Sequence, residues 1–252
     1  PQRVHGHGGG SGDVEDATVA SAWNGDGGGS FFIRTNHCNL RCQFASGNLC
    51  DTSYTSWFPD NEYNLGDIPI DDIINEYQNI GCDDVVITGG EPTIFPHELR
   101  ILIEKLRDVR DNLHITLETN GTNFGDYFKN IDLISVSPKL SSSTPYKTSY
   151  EKMHDNSRFN KDALFNINQL KNYGIIDVQW KFVFSRNEDL EEIYRLKELL
   201  NLKHQDIYLM PEGINKKDLE KNREHIIEIC KNHNFRYSDR LHIITYGNKR
   251  GL

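Results

Sequence analysis

The 252-residue sequence has no uninterrupted apolar run of the roughly 18 residues that a bilayer span needs, and its first residues lack the apolar stretch of a secretory signal. Neither a membrane anchor nor export is expected, and a cytoplasmic protein is. Positive charge is also scarce: 28 Lys and Arg stand against 37 Asp and Glu, a formal net charge of -9. Binding to nucleic acid rests on neutralising phosphates with cationic side chains, so this balance argues against a polyanionic partner. Cysteine is sparse and odd in number, five in all, which rules out a fully paired disulfide framework. There is no second pair of closely spaced cysteines of the kind structural zinc sites commonly use. At this length the chain buries a continuous core without cross-links.

What is present is an alternation of short β-type runs with helical patterns from residue 31 onward. "SFFIRT" reads as a strand. In "DIPIDDIINEYQNIG" the residues Ile70, Ile73, Ile74 and Tyr77 fall on one helical face, with Gly81 as a C-terminal stop. "DDVVITGG" precedes a helix carrying Leu99, Leu102, Ile103 and Leu106, "LHITLETNGT" a short helix near Tyr127, and "IDLISVSPK" a helix with Leu164, Ile167 and Leu170. "DVQWKFVFS" leads to a helix near 188 to 200, "DIYLMPEG" to one near 216 to 233, and "LHIITYG" closes the series. Val85, Val86 and Ile87 suggest strands apolar on both faces, as in a parallel sheet covered by helices. The expected fold is one α/β domain with a largely parallel sheet, built like an open or partial (β/α) barrel. Residues 1-23 are expected as a glycine-rich N-terminal segment and 24-252 as the domain.

In such sheets ligand chemistry gathers at the C-terminal ends of the strands, which here read "TGGEPT", "ETNGT", "SPK", "FSRNE" and "LMPEG". After the first strand Cys38, Cys42 and Cys50 follow with the spacing C-x3-C-x7-C. Three thiols on one loop suit an iron–sulfur cubane whose fourth iron has no protein ligand and stays open to a small molecule. With His37 the same residues make a Cys3His zinc site, the strongest alternative from the residues themselves. Cys82 and Cys230 stand alone in apolar surroundings and read as small buried hydrophobes.

The cysteine loop followed by "TGGEP" resembles the radical S-adenosylmethionine (SAM) superfamily, although the usual spacing there is C-x3-C-x2-C and the gap "QFASGNL" is longer. The ordered series "CDTSY", "ETNGT", "SPK", "LMPEG" and terminal "GNKRGL" resembles the 7-carboxy-7-deazaguanine synthase family within it, over roughly residues 24 to 252. That resemblance implies a [4Fe-4S] cluster on Cys38, Cys42 and Cys50, SAM on the open iron, and a radical ring contraction. The substrate, 6-carboxy-5,6,7,8-tetrahydropterin, loses ammonia on the way to a 7-deazapurine, and SAM is regenerated.

The same resemblance assigns residues. Gly89, Gly90 and Glu91 would meet the methionyl part of SAM, Ser137 and Lys139 would give a second SAM contact, and Leu49 and Asp51 flank Cys50. Arg34 and Thr88 would bind substrate, the guanidinium fork of Arg34 matching a carboxylate. Thr52 would hold Mg2+, a hard cation that takes oxygen ligands. Asn24 and Asp26 in "NGDG" stand where the family usually has a Gln and a Glu in "QGEG", and would read the pterin edge or merely form a turn. An electron donor such as flavodoxin or ferredoxin and a homodimer are implied as well. Two other readings stay open: a glycyl-radical activase sharing the cluster, and a non-catalytic zinc module.

Overall fold

The computed structural model describes residues 13–15, 18–23, 29–62 and 64–247. In chain order the strands are β1 (Asp13–Glu15), β2 (Thr18–Trp23), β3 (Gly29–Thr35), β4 (Asp67–Pro69), β5 (Asp84–Gly89), β6 (His114–Thr119), β7 (Leu133–Val136), β8 (Asp177–Phe184), β9 (Ile207–Pro211) and β10 (Arg236–Tyr237). The α-helices are α1 (Ser53–Ser56), α2 (Ile70–Ile80), α3 (Pro96–Val109), α4 (Glu151–Ser157), α5 (Lys161–Asn172), α6 (Asp189–Leu200), α7 (Lys216–His233) and α8 (Leu241–Tyr246).

One sheet runs β10-β9-β8-β7-β6-β5-β3-β2, with every neighbouring pair parallel except the antiparallel β2 and β3. β1 and β4 form a separate two-stranded pair. β1 and β2 both lie in the stretch expected as an N-terminal segment, and β2 is an edge strand of the main sheet. The parallel order follows from the βα alternation, since each crossover through a helix returns the chain to the same end of the sheet.

The helices form where the apolar stripe predicts. α2 buries Ile70, Ile73, Ile74 and Tyr77, carries Asp71 and Asp72 in its first turn where the helix dipole favours them, and stops at Gly81 with φ 70°. α3 buries Leu99, Leu102, Ile103 and Leu106. α7 starts at Asn215, whose side chain accepts from the Asp218 N–H, and ends at Asn234 in a left-handed turn. Two local readings differ, and one helix was not foreseen. The helix at Tyr127 is a 3-10 turn, Asp126–Asn130. "LHIITYG" adds no strand and forms α8. α4 carries no apolar stripe, because only His154 of its residues is buried.

At Val85, Val86 and Ile87 both faces are apolar and buried, as expected, but toward the C-terminal ends of the strands the second face turns polar. Phe31, Ile33, Val85, Ile87, Ile115, Leu117, Ile134, Val136, Trp180, Phe182 and Leu209 share one face and one core with the helices. Their alternating neighbours Arg34, Thr88, Glu118, Ser135 and Lys181 point the other way. The helices cover one face and leave a polar inner face, as a partial barrel with a central site requires. Cys230 is in the core, as expected, whereas Cys82 is only partly buried and packs against it.

Candidate active site

The cysteine loop leaves β3 at the C-terminal edge of the sheet, and the structure explains its long third gap. Gln43 and Leu49 pair as an antiparallel bridge, Phe44 N–H donates to Asn48 O at 2.9 Å, and Gly47 N–H donates to Phe44 O at 2.9 Å. Gly47 turns the chain at φ +90°, a region that favours glycine. Cys50 N–H then donates to Cys42 O at 3.2 Å. "QFASGNL" is thus a small hairpin that returns Cys50 to the side of Cys42, so the extra residues leave the ligand spacing in space short. Asn48, on its returning arm, donates to Glu212 Oε1 at 2.8 Å, tying the hairpin to "LMPEG". Leu40, Cys42 and Phe44 form a small buried cluster against which Cys38, Cys50 and Val183 pack.

Burial pushes the Cys38 thiol up to about 12, with the Glu91 carboxylate adding to it and the Leu40 N–H and Lys139 opposing. Cys42 is pushed up as well, chiefly by burial, and Cys50 by burial and then by Asp51. Such a pocket stabilises three thiolates only when a bound cation replaces their protons. Among the described residues no three His, Cys, Asp or Glu side chains converge on a single ion. One tetrahedral zinc needs its ligands gathered at 2.0 to 2.3 Å from one point, roughly, whereas a cubane takes its cysteines at separate corners. His37, at φ 57°, turns its carbonyl to accept the Glu91 N–H at 2.9 Å. Three thiols brought together on one loop suit the separate corners of a cluster.

The two glycines of "TGGEP" lie against the root of this loop. A Cβ on Gly90 would sit 1.8 Å from His37 O, and one on Gly89, at φ +151°, would sit 2.3 Å from Thr35 O. Gly90 N–H donates to Thr35 O at 2.9 Å. What needs the missing side chains is therefore the backbone of the cysteine loop itself. Glu91 is buried; its Oε1 accepts from Thr93 N–H, Thr93 hydroxyl and Thr119 hydroxyl, and its Oε2 from Asn120 N–H at 2.6 Å. Burial raises its pKa while these donors work against the shift. Glu91 so ties "TGGEP" to "ETNGT", and Asn120 passes the tie to the cysteine loop by donating to Asn39 Oδ1 at 2.8 Å.

Around Cys42 the braces are close. Trp57 Nε1 donates to Cys42 O at 3.0 Å, Gln43 N–H to Ser143 O at 2.9 Å, and Arg41 N–H to His154 Nδ1 at 3.1 Å. His154 is 0% exposed. Burial, then Arg158 and Lys139, hold it down at about 4, with Asp155 partly opposing. An unfolded histidine takes its proton near 6.5, so the contribution of neutral His154 to stability is complete above pH 6.5 and is lost as the pH falls toward about 4. Across that window the loss is on the order of 3 kcal/mol. His154→Asn, which keeps an acceptor and does not titrate, is expected to flatten it, as read by urea midpoints at pH 7 and pH 5.

The inner face carries the remaining expected residues. Arg34 pairs in register with Thr88 and donates to Gly89 O at 3.5 Å. Thr88 hydroxyl donates to Glu118 Oε2 at 2.9 Å, and Lys181 Nζ to Glu118 Oε1 at 3.1 Å. Lys181 first, with its hydrogen bond, that of Thr88 and the charge of Arg34, outweighs burial and holds Glu118 at about 2. Asp51 pairs with the buried Arg240. Burial opposes its ionisation, but Arg240 and Arg34 prevail and hold it at about 2. Lys139 Nζ donates to Ser137 Oγ at 2.8 Å, and its charge reaches all three thiols. Thr52 Oγ1 lies 3.3 Å from Cys50 Sγ, and Leu49 is held by its bridge to Gln43. Asn24 and Asp26 lie outside the described residues.

Residues 32–200 match the model of the Radical SAM superfamily. The chain is 34% identical to the 7-carboxy-7-deazaguanine synthase of Rhodopirellula baltica, over 88% of this chain and 80% of that one. The chain belongs to the 7-carboxy-7-deazaguanine synthase family of radical SAM enzymes. The Halobacterium salinarum protein of the same name is 36% identical over 86% of this chain and 82% of its own. Among solved structures, Streptococcus suis SuiB bound to S-adenosylmethionine overlays with a TM-score of 0.49 and 13% identity, over 83% of this chain and 47% of that one, so the chain spans about half of SuiB. Radical SAM chemistry rests on SAM and a [4Fe-4S] cluster.

For a radical SAM site, sequence reasoning missed Glu118, Lys181, His154 and Arg240. Glu118 and Lys181 had a readable signal, being charged residues at alternating positions of otherwise apolar strands. His154 and Arg240 had none, since each matters through a partner more than 100 residues away.

Proposed function

We propose that this chain converts 6-carboxy-5,6,7,8-tetrahydropterin to 7-carboxy-7-deazaguanine with release of ammonia; the family's name indicates the product. The observation that carries the reading is the hairpin that returns Cys50 to Cys42, giving three thiols beside a polar inner face headed by Arg34. Cys38, Cys42 and Cys50 would hold the cluster. Gly89, Gly90, Glu91, Ser137, Lys139, Leu49 and Asp51 would surround SAM. When bound, the pair supplies the radical that abstracts a substrate hydrogen.

The rest is the work of the chain's own side chains. Arg34 offers its fork to the substrate carboxylate, with Asp51 and Glu118 fixing the guanidinium electrostatically. Glu118 stays ionised beside Lys181 and presents an acceptor on the inner face next to Thr88. Thr52 would give Mg2+ one hydroxyl oxygen, the substrate and water supplying others. Asn24 and Asp26 would read the pterin edge. A flavodoxin or ferredoxin would deliver the electron, and the working unit would be a cytoplasmic homodimer without nucleic-acid or membrane partners. Among the described residues no helix is long and apolar enough to cross a membrane.

Anaerobic incubation with 6-carboxytetrahydropterin, SAM, Mg2+ and a reductant tests this reading: mass analysis should find the ammonia-deficient product. SAM consumed with no change in the pterin would contradict it. Arg34→Lys should raise KM for the pterin about tenfold at unchanged iron content, because a point charge loses the bidentate geometry. An unchanged KM would remove Arg34 from substrate binding.

A further inference from the structure

Two peptide N–H groups adjoin Cys42 in the chain, those of Arg41 and Gln43, and neither is turned toward sulfur. Arg41 N–H is taken by His154 Nδ1 at 3.1 Å and Gln43 N–H by Ser143 O at 2.9 Å. The two acceptors are one unit. Ser143 hydroxyl donates to Leu140 O at 2.7 Å, which leaves its oxygen to accept from His154 Nε2 at 3.2 Å. This fixes the ring's tautomer, with the proton on Nε2 and the lone pair of Nδ1 facing the cysteine loop. By contrast Leu40 N–H donates to Cys38 Sγ at 3.4 Å, which shows what an amide in this turn does when sulfur is its acceptor.

We propose that His154, seated on Ser143, is a positioning residue that diverts the peptide N–H groups flanking Cys42 away from the cluster sulfurs and thereby keeps the reduction potential of the cluster low; the inference rests on the cluster reading above. Hydrogen bonds to cluster and cysteine sulfurs favour the reduced, more negative state and raise the potential. Cleaving a sulfonium demands a strong reductant, so an amide withheld from sulfur serves the reaction although His154 touches neither substrate nor iron. Cys42 is the thiol where this matters, being buried while both adjoining amides are taken by His154 and Ser143.

The test is an EPR-monitored redox titration of the reconstituted chain with His154 replaced in three ways. His154→Leu removes the acceptor. His154→Gln places its amide near the former Nε2 and leaves the Nδ1 position empty, whereas His154→Asn puts an oxygen where Nδ1 was. The Leu and Gln variants should shift the midpoint potential upward, and the Asn variant should restore it. Should the Leu variant not fold, the contrast between Asn and Gln decides alone. Equal potentials in wild type and the Gln variant, or equal shifts in Asn and Gln, would overturn the inference with the cluster reading intact. Wild-type protein that takes up no iron would overturn that reading and this inference with it.

Discussion

Replacing Cys42 by alanine should abolish cluster assembly and turnover together, with a loss of activity of at least about a thousandfold, because a cubane gripped by two thiols has lost a corner to solvent. The fold should survive. Cys42 belongs to a small cluster with Leu40 and Phe44, apart from the main core, and the braces on its backbone come from Trp57, Ser143 and His154. Truncation to alanine keeps every one of those backbone bonds and costs about 1 kcal/mol of apolar contact. Iron content per chain, circular dichroism and product formation measured on one preparation separate the effects. Wild-type iron content in this variant would show that Cys42 is no ligand.

The second large effect is expected from Gly90→Ala. The added carbon would lie 1.8 Å from His37 O, a contact with backbone that no rotamer relieves. The chain must move at the point where Gly90 N–H holds Thr35 O and Glu91 N–H holds His37 O. Overpacking of this kind costs about 1–3 kcal/mol, and here it also displaces the residue that precedes Cys38. A fall of several degrees in Tm with a disproportionate loss of iron uptake is the expected pair of results. Gly47→Ala is the control: nothing lies within 4 Å of a Cβ there, so only the strain of its positive φ is felt. Equal loss of iron from both variants would mean that the packing against His37 is not what fastens the loop.

Much of the architecture was legible because it repeats. The stripes on α2, α3, α5, α6 and α7 are local and strong, and Gly81 and Asn215 mark helix ends by chemistry that acts within a few residues. Val85, Val86 and Ile87 are apolar and buried on both faces as read, but three residues did not announce the polar part of the inner face, which begins one step further at Thr88 and includes Lys181 in "DVQWKFVFS". α4 escaped because a short helix that buries a single histidine has no period to detect.

For the site, the three cysteines were visible as a group, but not why seven residues separate the last two. That required the bridge of Gln43 to Leu49, a pairing that propensity does not announce. "TGGEP" was legible as a motif and its mechanics were not: the glycines admit the backbone of Thr35 and His37, and Glu91 is bound by four donors. The tie from Asp51 to Arg240 joins opposite ends of the sequence and exists only in the fold.

The claim beneath all of this is a cluster with one open iron. EPR spectroscopy of the anaerobically reconstituted and reduced chain, before and after addition of SAM, tests it most directly. About four irons per chain are expected, with a cluster signal whose shape changes when SAM occupies the open position. A chain holding one zinc, or a cluster signal that SAM leaves unmoved, would contradict it.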